Sequence, residues 1–187
     1  MRKPLAFLVV ALGLGSVGCT RRPALEIYGD VPRFDLTAQD GRPFDSQALQ
    51  GKIWVADFIY TTCPGPCPRM TSQMREVQDS LAKVPDVRLV SFTIDPATDT
   101  PAVLAAYAKE HGASAAMWYF LTGPVPTLQM LDRDAFKLGN IDGTLQHSTR
   151  FVLVDGRQRI RGYYDTSEPG AISKVISDAR ALSSERS

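Results

Sequence analysis

Residues 53–84 read IWVADFIYTTCPGPCPRMTSQMREVQDSLAKV. The first part, Ile53 to Tyr60, is an apolar run of strand length, as expected of a central buried strand. From Met70 to Val84 the period changes to that of a helix, with Met70, Met74, Val77, Leu81 and Val84 on one face. The join between the two carries a pair of cysteines four positions apart, Cys63 and Cys67, among three prolines, Pro64, Pro66 and Pro68, which stiffen the loop.

The same alternation extends outward. Val87 to Ile94 (VRLVSFTI) predicts a second central strand, and Asp99-Thr100-Pro101 reads as an N-cap with Pro in the first helical turn. Gly112 ends that helix. Met117 to Leu121 predicts a third strand and Val125 to Leu138 a further helix. Thr149 to Val154 and Ile160 to Tyr164 flank Asp155-Gly156, a hairpin signal, and Ala171 to Leu182 closes the chain as a helix. Upstream, Phe34 to Thr37 predicts a short strand before a turn at Asp40-Gly41. Helices between apolar strands imply a sheet covered on both faces. The expected class is α/β, a three-layer α/β/α sandwich of thioredoxin-like type with a late β-hairpin and a C-terminal helix.

With 187 residues, 44% hydrophobic and 22% charged, the chain suits one globular domain, and collagen, long coiled coil and wholesale disorder are excluded. Its 21 basic and 20 acidic residues leave no basic excess for nucleic-acid binding. Three cysteines are too few for a disulfide scaffold, and two histidines too few for a histidine-rich metal store.

The N-terminus has the shape of a secretory signal: Arg2 and Lys3, an apolar stretch from Leu5 to Leu14, then small residues leading to Cys19. The apolar stretch is shorter than the roughly 20 residues of a spanning helix. Small residues before Cys19 resemble a bacterial lipoprotein signal, in which the cysteine is lipidated and becomes the first residue. Ser16 departs from the aliphatic residue usual there, and an uncleaved anchor is the alternative. The expected organisation is a signal at 1–18, a tether at 19–33 and one domain at 34–187. Such a protein is exported, held on the bacterial cell membrane facing the periplasm or outer surface, and meets an oxidising compartment.

Two thiols in a loop opening onto a helix N-terminus are placed where the helix dipole favours thiolate. A CxxC pair there reads as a redox dithiol; the spacing here is CxxxC, one residue longer, which lets both sulfurs face one point and suits a single gripped ion. A purely structural disulfide would close a tiny loop with little gain in stability. Thiolates with one imidazole select copper(I) or, less well, zinc. His147, just before the 149–154 strand, is the remaining ligand of that type in a loop, whereas His111 reads as a C-terminal helix residue. Asp57, within an otherwise apolar strand, and Asp95, before Pro96, are secondary candidates for supporting the site. Met70 and Met74 read as core because their spacing matches Val77 and Leu81.

On these residues the sequence resembles the Sco/SenC family of thioredoxin-like copper proteins of cytochrome oxidase assembly. Four stretches match in order: DFIYTTC at 57–63 with Cys67-Pro68, SFTIDP at 91–96, Asp99-Thr100-Pro101, and His147-Ser148-Thr149. The likeness runs from about Phe34 to Leu182. It implies Cys63, Cys67 and His147 as copper ligands, one copper per chain, with Cys63 and Cys67 also able to form a redox disulfide. It implies cytochrome c oxidase subunit II, or another copper oxidase, as the recipient, while the oxidising compartment implies a thiol reductase as a second partner. Pro64-Gly65-Pro66 departs from the acidic residue often found between the family's cysteines, and removes no ligand. The competing expectations are a thiol-disulfide oxidoreductase, which needs the cysteines without His147, a peroxiredoxin-like peroxidase using Thr62 and Arg69, and a copper-responsive signalling module.

Overall fold

The structure, a computed structural model, describes residues 24–139, 141, 145 and 148–185. Its strands are β1 (Gly29–Asp30), β2 (Asp35–Ala38), β3 (Pro43–Asp45), β4 (Ile53–Ile59), β5 (Val87–Thr93), β6 (Trp118–Thr122), β7 (Arg150–Val154) and β8 (Arg159–Asp165). They form one mixed sheet in the order β1-β8-β7-β4-β5-β6-β2-β3, with β4, β5 and β6 parallel and the remaining pairs antiparallel. The helices are α1 (Cys67–Leu81), α2 (Pro101–Glu110), α3 (Val125–Gln129) and α4 (Ala171–Ser184).

All seven residues of β4 are buried, which is why its sequence shows no polar alternation. Ile53, Val55 and Ile59 face the layer of α1, α2 and α4, where Met70, Met74, Val77 and Leu81 meet Leu104, Val175 and Leu182. Trp54, Ala56 and Phe58 face the other side, under the 3-10 turn Ser46–Leu49, α3 and Phe136. Each fully buried large side chain of this kind contributes about 1.5–3 kcal/mol. The three layers are those expected from the sequence, as are the β7–β8 hairpin and the closing helix. Gly112 ends α2 at φ +67°, a left-handed conformation that glycine adopts without penalty, and His111 is the C-cap before it.

Three local readings change. The helix expected over 125–138 is α3 followed by a wider π-type turn at Met130–Ala135. The Phe136 N–H donates to Leu131 O at 2.8 Å, so the turn gains a residue and both side chains reach the core, Phe136 against Phe58 and Phe92. The first strand is Asp35–Ala38 rather than 34–37, and it pairs with an unforeseen neighbour, β3, as well as with β6. The stretch expected as a tether at 19–33 is in part docked. Its β1 pairs with β8, Tyr28 N–H donates to Ile160 O (2.9 Å) and Val31 is buried.

The docking centres on Arg161, whose side chain is 7% exposed. It donates through Nη1 to Asp155 Oδ2 (2.8 Å), through Nη2 to Leu25 O (2.7 Å) and through Nε to Glu26 O (3.1 Å). Arg159 Nη2 completes the cluster on Asp155 Oδ2 at 2.7 Å.

Candidate metal centre

The two thiols sit where β4 hands over to α1. After Ile59 the chain turns at Tyr60, where Cys63 N–H donates to Tyr60 O at 3.3 Å. Cys67 is the first residue of α1, entered from Pro66 and followed by Pro68, whose missing N–H falls where no helical acceptor needs it. Cys63 is 8% exposed and Cys67 0%, beneath an exposed Pro64 and Gly65. Neither is joined in a disulfide. The two thiols and the Tyr60 hydroxyl are close enough for each to act on the ionisation of its neighbour. Gly65 N–H lies 3.4 Å from Cys63 Sγ.

The sequence predicts thiolates favoured by the helix dipole. In the structure burial acts more strongly on Cys67, pushing its thiol well above the ordinary range, and the neighbouring Cys63 and the charge of Asp57 add to that shift. The sulfur has exchanged water for a core that includes Ile59, Met70 and Met74, which disfavours the charged thiolate. Tyr60 is likewise raised, by its hydrogen bond to Cys63 first and by burial second.

Asp57 lies in the core under this pair. Its Oδ1 accepts from Ser91 Oγ at 2.6 Å, and Ser91 Oγ accepts in turn from Trp118 Nε1 at 2.9 Å. Asp95 is further out and shapes a turn: its N–H donates to Thr93 Oγ1 (2.9 Å) and its Oδ1 accepts from Thr98 N–H (3.4 Å). Its charge nevertheless acts on Tyr60. Met70 and Met74 are wholly buried, in agreement with the core reading. Arg69 is engaged by the chain after β8, where Nη1 donates to Thr166 O at 3.0 Å, beside Gln73 Nε2 at the same distance.

His147 and Cys19 lie outside the described residues. The chain just after His147 is anchored to α1. Thr166 donates to Thr149 O through its N–H (3.0 Å) and its hydroxyl (2.7 Å), while its own carbonyl receives Arg69 and Gln73. Among the described residues no group of three or more potential ligands forms. The centre they supply is therefore the pair of neighbouring thiols, a soft donor set that suits a soft ion. The same sulfurs can instead be joined as a disulfide, and a sulfur in that bond offers no thiolate to a metal.

Two residues acquire a role only in the fold. In sequence Tyr60 is the last residue of an apolar run, and in the structure it stands beside Cys63. In sequence Asp99 belongs to a helix cap; Thr100 is the cap, its Oγ1 accepting from Val103 N–H, and Asp99 is buried against Thr61. The signal for it was a pair of hydroxyl residues, Thr61 and Thr93, at the ends of two apolar strands.

The profile of the SCO1/SenC family matches residues 28–183. A SCO1/SenC family lipoprotein from Bacillus anthracis superposes with a TM-score of 0.75 at 32% identity, covering 82% of this chain and 95% of its own. BsSco, in which a disulfide switch is identified, is a member of the Sco family of cytochrome c oxidase assembly proteins. It superposes at 0.76 with 31% identity, covering 86% and 97%. ScoI of Bradyrhizobium japonicum, solved with copper bound, shares the fold at a TM-score of 0.67 and 23% identity, covering 81% and 98%.

Proposed function

The chain belongs to the SCO1/SenC family, and from that premise we propose that it is a membrane-tethered copper metallochaperone. The observation that carries the reading is the juxtaposition of the Cys63 and Cys67 thiols, not joined in a disulfide, at the entry to α1. In this reading copper is cargo, one ion per chain, held by Cys63, Cys67 and His147. Loading releases the thiol protons; unloading hands the ion to cytochrome c oxidase subunit II or another copper oxidase. Oxidation of the pair to a disulfide blocks loading, so a thiol reductase in the exported compartment keeps the protein competent.

The alternative is that the pair itself reduces the cysteines of an exported target. His147→Ala separates the two. Copper affinity falls by more than tenfold in a chaperone, while reduction of a model disulfide, which needs only the thiols, stays at the wild-type rate. Unchanged copper affinity in that variant would remove His147 from the ligand set.

We place the anchor at Cys19, with residues 1–18 removed as a signal. No helix among the described residues is long and apolar enough to cross a membrane. Mass spectrometry of detergent-extracted protein should find a chain beginning at a lipid-bearing Cys19; a chain beginning at Met1 would mean an uncleaved anchor.

A further inference from the structure

Asp99 is completely buried, and its carboxylate faces donors from two strand ends. Oδ1 accepts from Thr61 Oγ1 at 2.5 Å and from Thr61 N–H at 3.3 Å. Oδ2 accepts from Thr93 Oγ1 at 2.5 Å and from Thr61 N–H at 3.2 Å. The Asp99 N–H donates to Asp95 O at 2.8 Å, which curls the chain after β5 back over the end of β4. None of this is needed to begin α2, because Thr100 already caps that helix.

We propose that Asp99 is a positioning residue for the thiol loop: by fixing Thr61 it sets where Cys63 stands relative to Cys67, and so sets the affinity for the ion. The proposal rests on the copper reading of the two cysteines. The loop itself makes Asp99 effective. Pro64, Pro66 and Pro68 each lock φ, so the remaining freedom of the segment is concentrated in residues 60–63. Asp99 grips that stretch at Thr61, through both its backbone and its side chain. A slackened base would move Cys63 as a unit with its stiff loop and spoil its approach to the ion. Partners that orient a ligand in this way typically contribute about ten- to hundredfold in metal affinity.

The test compares Asp99→Asn, Thr61→Val and Thr93→Val with wild type in the full chain, reduced and purified in detergent. Asn keeps the shape of Asp99 but turns an NH2 group towards a donor. Thr61→Val deletes the side-chain bond into the loop and keeps those from the residue 61 N–H, and Thr93→Val deletes the side-chain bond on the other side together with the one Thr93 Oγ1 accepts from Asp95 N–H. Copper(I) affinity is read by competition with a chromophoric chelator, at a temperature where circular dichroism shows every variant folded. The sulfur-to-copper charge-transfer bands of the copper(II) form are recorded alongside.

Asp99→Asn and Thr61→Val should each lose about tenfold or more in affinity and shift those bands, with Thr93→Val losing less. Lowered melting temperatures with affinity and bands unchanged would overturn the proposal and leave Asp99 a stability residue. A wild-type chain that binds no copper would overturn the chaperone reading instead. The dithiol–disulfide equilibrium against glutathione then decides for Asp99, since it needs no metal. A shift of threefold or more in Asp99→Asn and Thr61→Val supports positioning, and a smaller one refutes it.

Discussion

Copper(I) uptake by the reduced full chain should strengthen by about tenfold per pH unit between pH 6 and 8 for each thiol proton displaced, and a Cys63→Ser, Cys67→Ser double variant should take up none. The sign follows from burial. Cys67 is held protonated because its thiolate would sit among core side chains beside the charge of Asp57. An ion must therefore remove a proton to bind, and every step down in pH makes that removal harder. If Cys63 also enters protonated, the slope doubles in logarithmic terms to about a hundredfold per unit. Competition titrations at pH 6, 7 and 8 measure it. A flat profile would mean that thiolates are already formed, as the helix dipole alone would have it, and that burial is the weaker influence. Undiminished uptake by the double variant would remove the loop from the site altogether.

The second large effect is on stability. Arg161→Met should cost about 3 kcal/mol or more, the range for stripping one partner from a buried ion pair. It leaves Asp155, itself 5% exposed, with Arg159 as its one remaining cation, and it frees the carbonyls of Leu25 and Glu26. Urea unfolding gives the magnitude, and limited proteolysis near residue 25 should become rapid. The pH dependence has a definite direction. Burial raises the Asp155 carboxyl, but the hydrogen bonds from Arg159 and Arg161 and from the backbone of 157 and 159 outweigh it, so the net shift is downward. A carboxyl held low stabilises the fold above its unfolded value, about pH 3.9, and that stabilisation is lost as acid protonates it. The gap between wild type and Arg161→Met should therefore be wide at pH 6, begin to close as the pH falls through about 3.9, and be narrow only below the depressed value of the folded state. A constant gap would assign the loss to packing by the Arg161 stem instead of charge.

What could be read from the sequence was whatever depends on near neighbours. The unbroken apolar run of β4, the one-sided spacing of α1 and the Asp155-Gly156 turn each announce themselves within a few residues. They place Cys63 and Cys67 between a buried strand and a helix. Met70 and Met74 could be assigned to the core for the same reason. What stayed hidden depends on partners far along the chain. Asp99 looks like a cap because it precedes Thr100-Pro101, and only its contact with Thr61 turns it inward. Residues 25–31 look like a tether because their partners, Gln158 to Arg161, come more than a hundred positions later. The burial of Cys67 is likewise set by the packing of α1 against the sheet, so the loop alone pointed to an acidic thiol where the fold makes a reluctant one.

The docking of the N-terminal segment changes the geometry of delivery. A free tether over 20–33 could extend about 50 Å and let the domain sweep a wide hemisphere above the bilayer. With Leu25 held by Arg161, an anchor at Cys19 leaves only the stretch between them, about 20 Å when fully drawn out. The domain would then ride low, as a short-leashed cargo carrier patrolling a thin layer of solvent at the membrane. Confinement of that kind raises its local concentration towards any acceptor standing in the same layer and lowers it towards one projecting further out. The latch at Arg161, remote in sequence from both the anchor and the thiols, would decide how high above the membrane a recipient can be served.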